Sequence, residues 1–143
     1  MPSLSHLLTE EIATFCRINM NKKRRIPIRS SEMGVLIYIV KHTNNDGVRP
    51  VDLSTYFGMQ KSSISAIVSS LENQSYIKKI PSRDKRSHPL APTPKGLNLV
   101  NETIEDYHKT SNKIIETLGE ERCKDFINTM QTITQIIQDS EVS

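Results

Sequence analysis

A mainly α fold carrying a small β wing is what this sequence predicts, and three observations lead to it. Two short helical patterns flank Gly58. A strand pattern, a basic loop and a second strand follow between residues 76 and 92. A Thr-x-x-Gly helix start, Thr93 to Gly96, closes the segment. That order describes a winged helix-turn-helix, and apolar helical patterns at both ends of the 143-residue chain flank it with terminal helices.

Each element has its own warrant. Leu4, Leu8, Ile12 and Phe15, with Leu7 and Ile18 beside them, form one helical stripe. The run Lys22-Lys23-Arg24-Arg25 follows it, where cations suit a solvated helix C-terminus and could alternatively meet phosphate. Ser30 or Ser31 can cap the next helix, which carries Val35, Leu36, Ile39 and Val40 and stops at the turn cluster Asn44 to Gly47. Pro50 suits a first helical position, because its missing N–H would have had no partner there. The helix it opens should bury Leu53, Tyr56 and Phe57 and end at Gly58, the residue best able to turn the chain with positive φ.

Gln60 falls at a cap position and Lys61 opens the second helix of the pair. Ile64, Ile67, Val68 and Leu71 occupy one stripe of it, at the i, i+3, i+4, i+7 spacing. The opposite face holds Ser62, Ala66, Ser69 and Asn73, with Ser65 on the flank. A solvated helix normally carries Lys and Glu there. Small hydroxyl and methyl groups instead let the backbone approach another surface, donate to phosphate or touch a thymine methyl. Lys61 opposes the helix dipole, for which a nearby phosphate is a reason. The candidate DNA-facing residues of this helix are Gln60, Lys61, Ser62, Ser63, Ser65, Ala66 and Ser69; an exposed Ser-rich helix without a partner is the plainer alternative.

Residues 76–80 read as a strand with mixed alternation, which Pro81 ends. The loop from Ser82 to His88 carries three positive charges against one negative. Such a loop can be merely solvated, but behind a helix-turn-helix it reads as a wing. Its Arg86 is the candidate for a minor groove, where the negative potential favours Arg, and Asp84 can accept from that guanidinium and fix its direction. Arg83, Asp84, Lys85, Arg86 and His88 are the candidate wing contacts. Beyond Pro94 a long helix carries Leu97, Val100, Ile104, Tyr107, Ile114, Ile115 and Leu118; Gly119 interrupts it, and a last helix from Glu120 presents Phe126, Ile127, Met130, Ile133 and Ile137. These ends are more apolar than a single winged core needs, so a homodimer is expected, and two-fold symmetry would ask for a pseudo-palindromic DNA site.

Charge follows the same division. Residues 1–47 sum to +3, residues 48–96 to +5 and residues 97–143 to −5. The basic excess therefore sits on the winged segment, and the acidic end argues against indiscriminate binding to polyanions. No run of 18 apolar residues and no signal-like start occurs, so a cytoplasmic protein without membrane contact is expected.

Leu53, the Leu71-Glu72 pair, Ile77, Asp84-x-Arg86 and Thr93-x-x-Gly96 stand in the order and spacing of a known signature, and over nearly its whole length the chain resembles the MarR family of transcriptional regulators. The resemblance implies a single unit over 1–143. Residues 28–96 would be the DNA-binding lobe, and residues 1–27 and 97–143 the dimerisation helices. It implies a homodimer on a double-stranded operator, acting as a repressor that a small-molecule effector or stress signal relieves. Three positions depart from the pattern: Lys78 where Arg is frequent, Pro89 in the expected second wing strand, and Pro92 in place of a usual Leu. Proline removes ladder donors, which implies a shorter or kinked wing. A winged-helix protein–protein module without specific DNA binding is the alternative reading.

Other chemistry is sparse. Cys16 and Cys123 lack any C-x-x-C context, so no zinc site or structural disulfide is expected; Cys16 is a candidate redox thiol only because some relatives sense oxidants through a first-helix cysteine. His6, His42, His88 and His108 show no ligand spacing, and no metal or cofactor is expected. Without a Gly-rich phosphate loop, a nucleophile elbow or a paired His and carboxylate motif, the chain is not expected to be an enzyme.

Overall fold

The helical periodicities of the sequence become helices in the computed structural model, which describes residues 1–18, 26–83 and 86–142. In chain order they are α1 (Leu4–Arg17), α2 (Ser30–His42), α3 (Pro50–Phe57) and α4 (Lys61–Asn73). Strands β1 (Ile77–Lys79) and β2 (Leu90–Pro92) follow, then α5 (Pro94–Leu118) and α6 (Glu120–Val142). The result is the mainly helical fold with one small antiparallel sheet that the sequence predicts. Two compact units divide the chain, one of Lys22–Ile104 and one of Met1–Asn21 with Glu105–Ser143.

In the first unit Leu36, Ile39, Leu53, Ile64 and Leu71 bring the inward faces of α2, α3 and α4 into one core, each at most 1 % exposed. Fully burying one such side chain contributes roughly 1.5–3 kcal/mol. The intrinsic propensity of a Ser-rich α4 offers nothing comparable, so tertiary packing holds that helix. Val35, Leu90 and Val100 complete the centre.

Local chemistry sets the ends of the elements. Pro50 stands at the start of α3, where Asp52 Oδ2 accepts the Arg49 N–H at 3.1 Å. Gly58 ends the helix at φ +61°. The turn into α4 is closed in both directions: Met59 N–H donates to the Ser54 carbonyl at 3.2 Å, and Ser54 Oγ donates to the Met59 carbonyl at 2.6 Å. Gln60 is the N-cap of α4, without a side-chain cap bond.

Two expectations change. Tyr56 is 64 % exposed rather than buried, because Leu53 fills the inward position of an eight-residue helix. Its ring lies instead against Tyr38 at 4.6 Å and Phe57 at 4.9 Å between centroids. The cap of α2 is Arg29, one residue earlier than Ser30, and Glu32 satisfies the Arg29 N–H.

The wing is short, and Pro92 sits where its missing donor costs the β1–β2 ladder nothing. β1 and β2 pair antiparallel, with Ile77 opposite Pro92 and Lys79 opposite Leu90. Thr93 N–H bonds Tyr76 O and Ile80 N–H bonds Pro89 O, so residues 89, 91 and 93 turn their backbone towards β1. Leu90 turns the other way and exchanges both backbone bonds with Val48, at 2.9 and 2.7 Å. By the same alternation the missing Pro92 donor lies off the β1 ladder.

In the second unit, Leu4, Leu8 and Phe15 of α1, Ile114 and Leu118 of α5, and Phe126, Ile127, Met130 and Ile137 of α6 are each more than a third exposed in the single chain. Gly119, at φ +87°, ends α5 before α6 begins.

Candidate nucleic-acid interface

The periodicity that buries one side of α4 presents the other. Ile64, Val68 and Leu71 are buried, with Ile67 half-buried at the margin. Gln60, Lys61, Ser62, Ser63, Ser65, Ala66 and Ser69 are all exposed. Between residues 60 and 71 there is no acidic side chain, and Glu72 beyond them lies 3.9 Å from Lys79 Nζ. The outward face is thus uncharged except for Lys61. Its hydroxyls can donate to phosphate oxygens or to base edges, and Ala66 offers a methyl group.

The wing stands in the same compact unit. Arg83 and Arg86 are exposed and His88 is half-buried, while Asp84 and Lys85 lie outside the described residues, as does the basic run 22–25. Lys78 and Lys79 are exposed on β1 and extend the positive character of the hairpin. The arm leading into β2 is held from outside the wing: Arg49 Nη1 donates to the Ser87 carbonyl at 3.1 Å. Sequence reasoning gave no role to Arg49 or Val48, because each meets its partner about 40 positions later in the chain, beyond what local patterns report.

The base of the wing is fixed by the Thr-x-x-Gly sequence. Thr93 Oγ1 donates to the Ser75 carbonyl at 2.6 Å and accepts the Gly96 N–H at 3.1 Å, so one hydroxyl ties the turn after α4 to the first turn of α5. Ser75 adopts φ +67° in that turn. Lys95 Nζ donates to the Gln74 carbonyl at 2.7 Å and lies 4.4 Å from the centre of the Tyr76 ring.

Glu32 was also missed. It is buried, and the Ser70 hydroxyl above all, then the Arg29 backbone N–H, holds its carboxyl below the ordinary glutamate range. A Glu three residues after a helix cap is a readable signal, obscured here by assigning the cap to Ser30 or Ser31.

Among the described residues no cluster of three His, Cys, Asp or Glu could hold a metal ion, and no helix is long and apolar enough to cross a membrane. Cys16 on α1 is an exposed free thiol, and Cys123 on α6 is a half-buried one.

No family model and no curated protein matches the chain by sequence. Solved structures do match in fold. MepR of Staphylococcus aureus, solved in complex with DNA, superposes with a TM-score of 0.74 at 17% identity over 94% of this chain and 98% of that one. FabT of Streptococcus pneumoniae, also solved with DNA, gives 0.72 at 21% identity over 93% and 92%. MarR gives 0.71 at 15% identity over 98% and 94%. With six helices and a two-stranded wing among the described residues, and near-complete mutual coverage at these TM-scores, the chain has the MarR-type winged-helix fold.

Proposed function

We propose that this chain is a homodimeric, sequence-specific DNA-binding transcriptional regulator with no catalytic activity, acting in the cytoplasm as a repressor that a small-molecule or stress signal relieves. The exposed, acid-free face of α4 carries the reading. Seven exposed residues, five of them small with Lys61 the one cation and Gln60 an amide, backed by buried Ile64, Val68 and Leu71, suit a helix lying in a major groove. The exposed Arg83 and Arg86 suit the adjacent minor groove and backbone. MepR and FabT of the same fold were solved on DNA. The exposed apolar faces of α1 and α6 support a second copy as partner. A module that had lost DNA binding is not favoured, since the prolines that suggested it leave the β1–β2 ladder in place.

The test is a duplex titration at several salt concentrations, with a sequence recovered by wild type from a randomised pool. A DNA binder loses affinity steeply as salt rises. Arg86→Ala should weaken binding by about 1–3 kcal/mol while the protein stays folded. Binding that is weak and indifferent to both salt and sequence would remove the reading.

A further inference from the structure

A face that reads bases works only while its helix keeps one roll about its axis, and a buried carboxylate is placed to set the roll of α4. Glu32, in the first turn of α2, is 7 % exposed and is the one buried carboxylate among the described residues. Its Oε1 accepts the Arg29 N–H at 3.0 Å and so caps its own helix. Its Oε2 accepts the Ser70 hydroxyl and lies 3.4 Å from Gln74 Nε2. Ser70 is in the last turn of α4 and Gln74 is its C-cap. Capping alone does not need this reach, because Asp52 caps α3 at Arg49 with a side chain one methylene shorter.

We propose that Glu32 is a positioning residue for base recognition, holding α4 through Ser70 and Gln74 at the roll in which Ser62, Ser65, Ala66 and Ser69 face DNA. This rests on the reading of α4 as the recognition helix. Successive helical residues stand about 100° apart, so gripping Ser70 fixes the direction of Ser69 beside it. Side-chain tips lie about 5–6 Å from a helix axis, and a roll of about 10° therefore moves them by roughly 1 Å. Hydrogen bonds tolerate a spread of about 0.5 Å, so that movement is enough to lose a base contact. The turn leading into the opposite end of α4 is held by the Ser54 hydroxyl on the Met59 carbonyl. Glu32 supplies the second anchor. Its carboxyl is held in the ionised form, which makes both bonds to α4 charge-assisted.

The test measures wild type, Glu32→Asp, Ser70→Ala and Ser70→Thr on two duplexes, the one that wild type selects from a randomised pool and a scramble of it. Glu32→Asp keeps the cap and the charge but draws the carboxylate back from α4. Ser70→Ala removes the hydroxyl from the other side, and Ser70→Thr restores it. Both disruptive variants should bind the selected duplex about tenfold more weakly, equivalent to about 1.4 kcal/mol, with the scramble and the salt slope unchanged. Ser70→Thr should recover most of that loss. A loss shared equally by the two duplexes, or no loss on either, overturns the positioning role and leaves DNA binding standing. A wild type that selects no sequence overturns both.

Discussion

Gly96 has no room for a methyl group. A Cβ there would lie 2.2 Å from the Tyr76 carbonyl oxygen, a backbone atom that cannot swing aside. Gly96→Ala would ordinarily help a helix by about 1 kcal/mol. Overpacking of this kind costs about 1–3 kcal/mol or more, so the clash outweighs the propensity. Chemical denaturation should therefore show the variant clearly less stable, and a variant as stable as wild type would contradict this account of the Thr-x-x-Gly turn. Glu32 makes a second residue-scale prediction, through pH. Its folded-state pKa is lowered, chiefly by the Ser70 hydroxyl, from the ordinary glutamate value of 4.5. Its contribution is therefore fully present above that value and is lost as pH falls through the folded one. The stability gap between wild type and Glu32→Gln in urea should be widest near neutrality and shrink below about pH 4.

At the scale of elements, α4 shows what the sequence made readable and what it hid. Its inward stripe, its start after Gln60 and the Gly58 turn follow from spacing and backbone preference, which are local properties. The outward residues were readable by subtraction, once the stripe was known. Tyr56 was misplaced because α3 is too short for its whole apolar side to reach the core. Glu32, Arg49 and Val48 were unreadable as anchors, because each meets its partner about 40 positions away in the chain, beyond what local patterns report. If α4 enters the major groove, Ala66→Arg should abolish binding or shift the selected base toward guanine, which Arg reads bidentately. Lys61→Ala should instead weaken all sequences alike and reduce the salt slope by about one. An unchanged consensus at unchanged affinity for Ala66→Arg would place the reading surface elsewhere.

For the whole molecule, the question is what covers the apolar faces of its second unit. Phe126, Ile127 and Met130 on α6 are between 42 % and 53 % exposed, and a lone chain in water gains nothing from presenting them. A second copy answers this under the proposed function. Removing residues 120–143 should give a monomeric or insoluble protein, and sedimentation of the intact chain as a monomer at micromolar concentration would count against the dimer. The charge distribution agrees with a division of labour, since the net +5 of residues 48–96 accompanies the proposed reading surface and the net −5 of residues 97–143 does not.

The pairing of Val48 with Leu90 has a consequence for how the lobe comes apart. Leu90 donates its amide to Val48, not to the neighbouring arm of the hairpin, and it is 1 % exposed. Freeing that amide thus means separating the segment before α3 from the segment before α5, which dismantles the packing between them. The wing stem should therefore melt with α2, α3 and α4 in one cooperative step, without fraying alone. In native-state hydrogen exchange the Leu90 amide should fall in the slowest class, with the opening energy of the whole lobe, while the exposed arm around Arg83 exchanges early. A Leu90 amide that exchanges as fast as that arm would mean a hairpin free to open on its own, able to reshape itself on a groove without loosening the helix beside it.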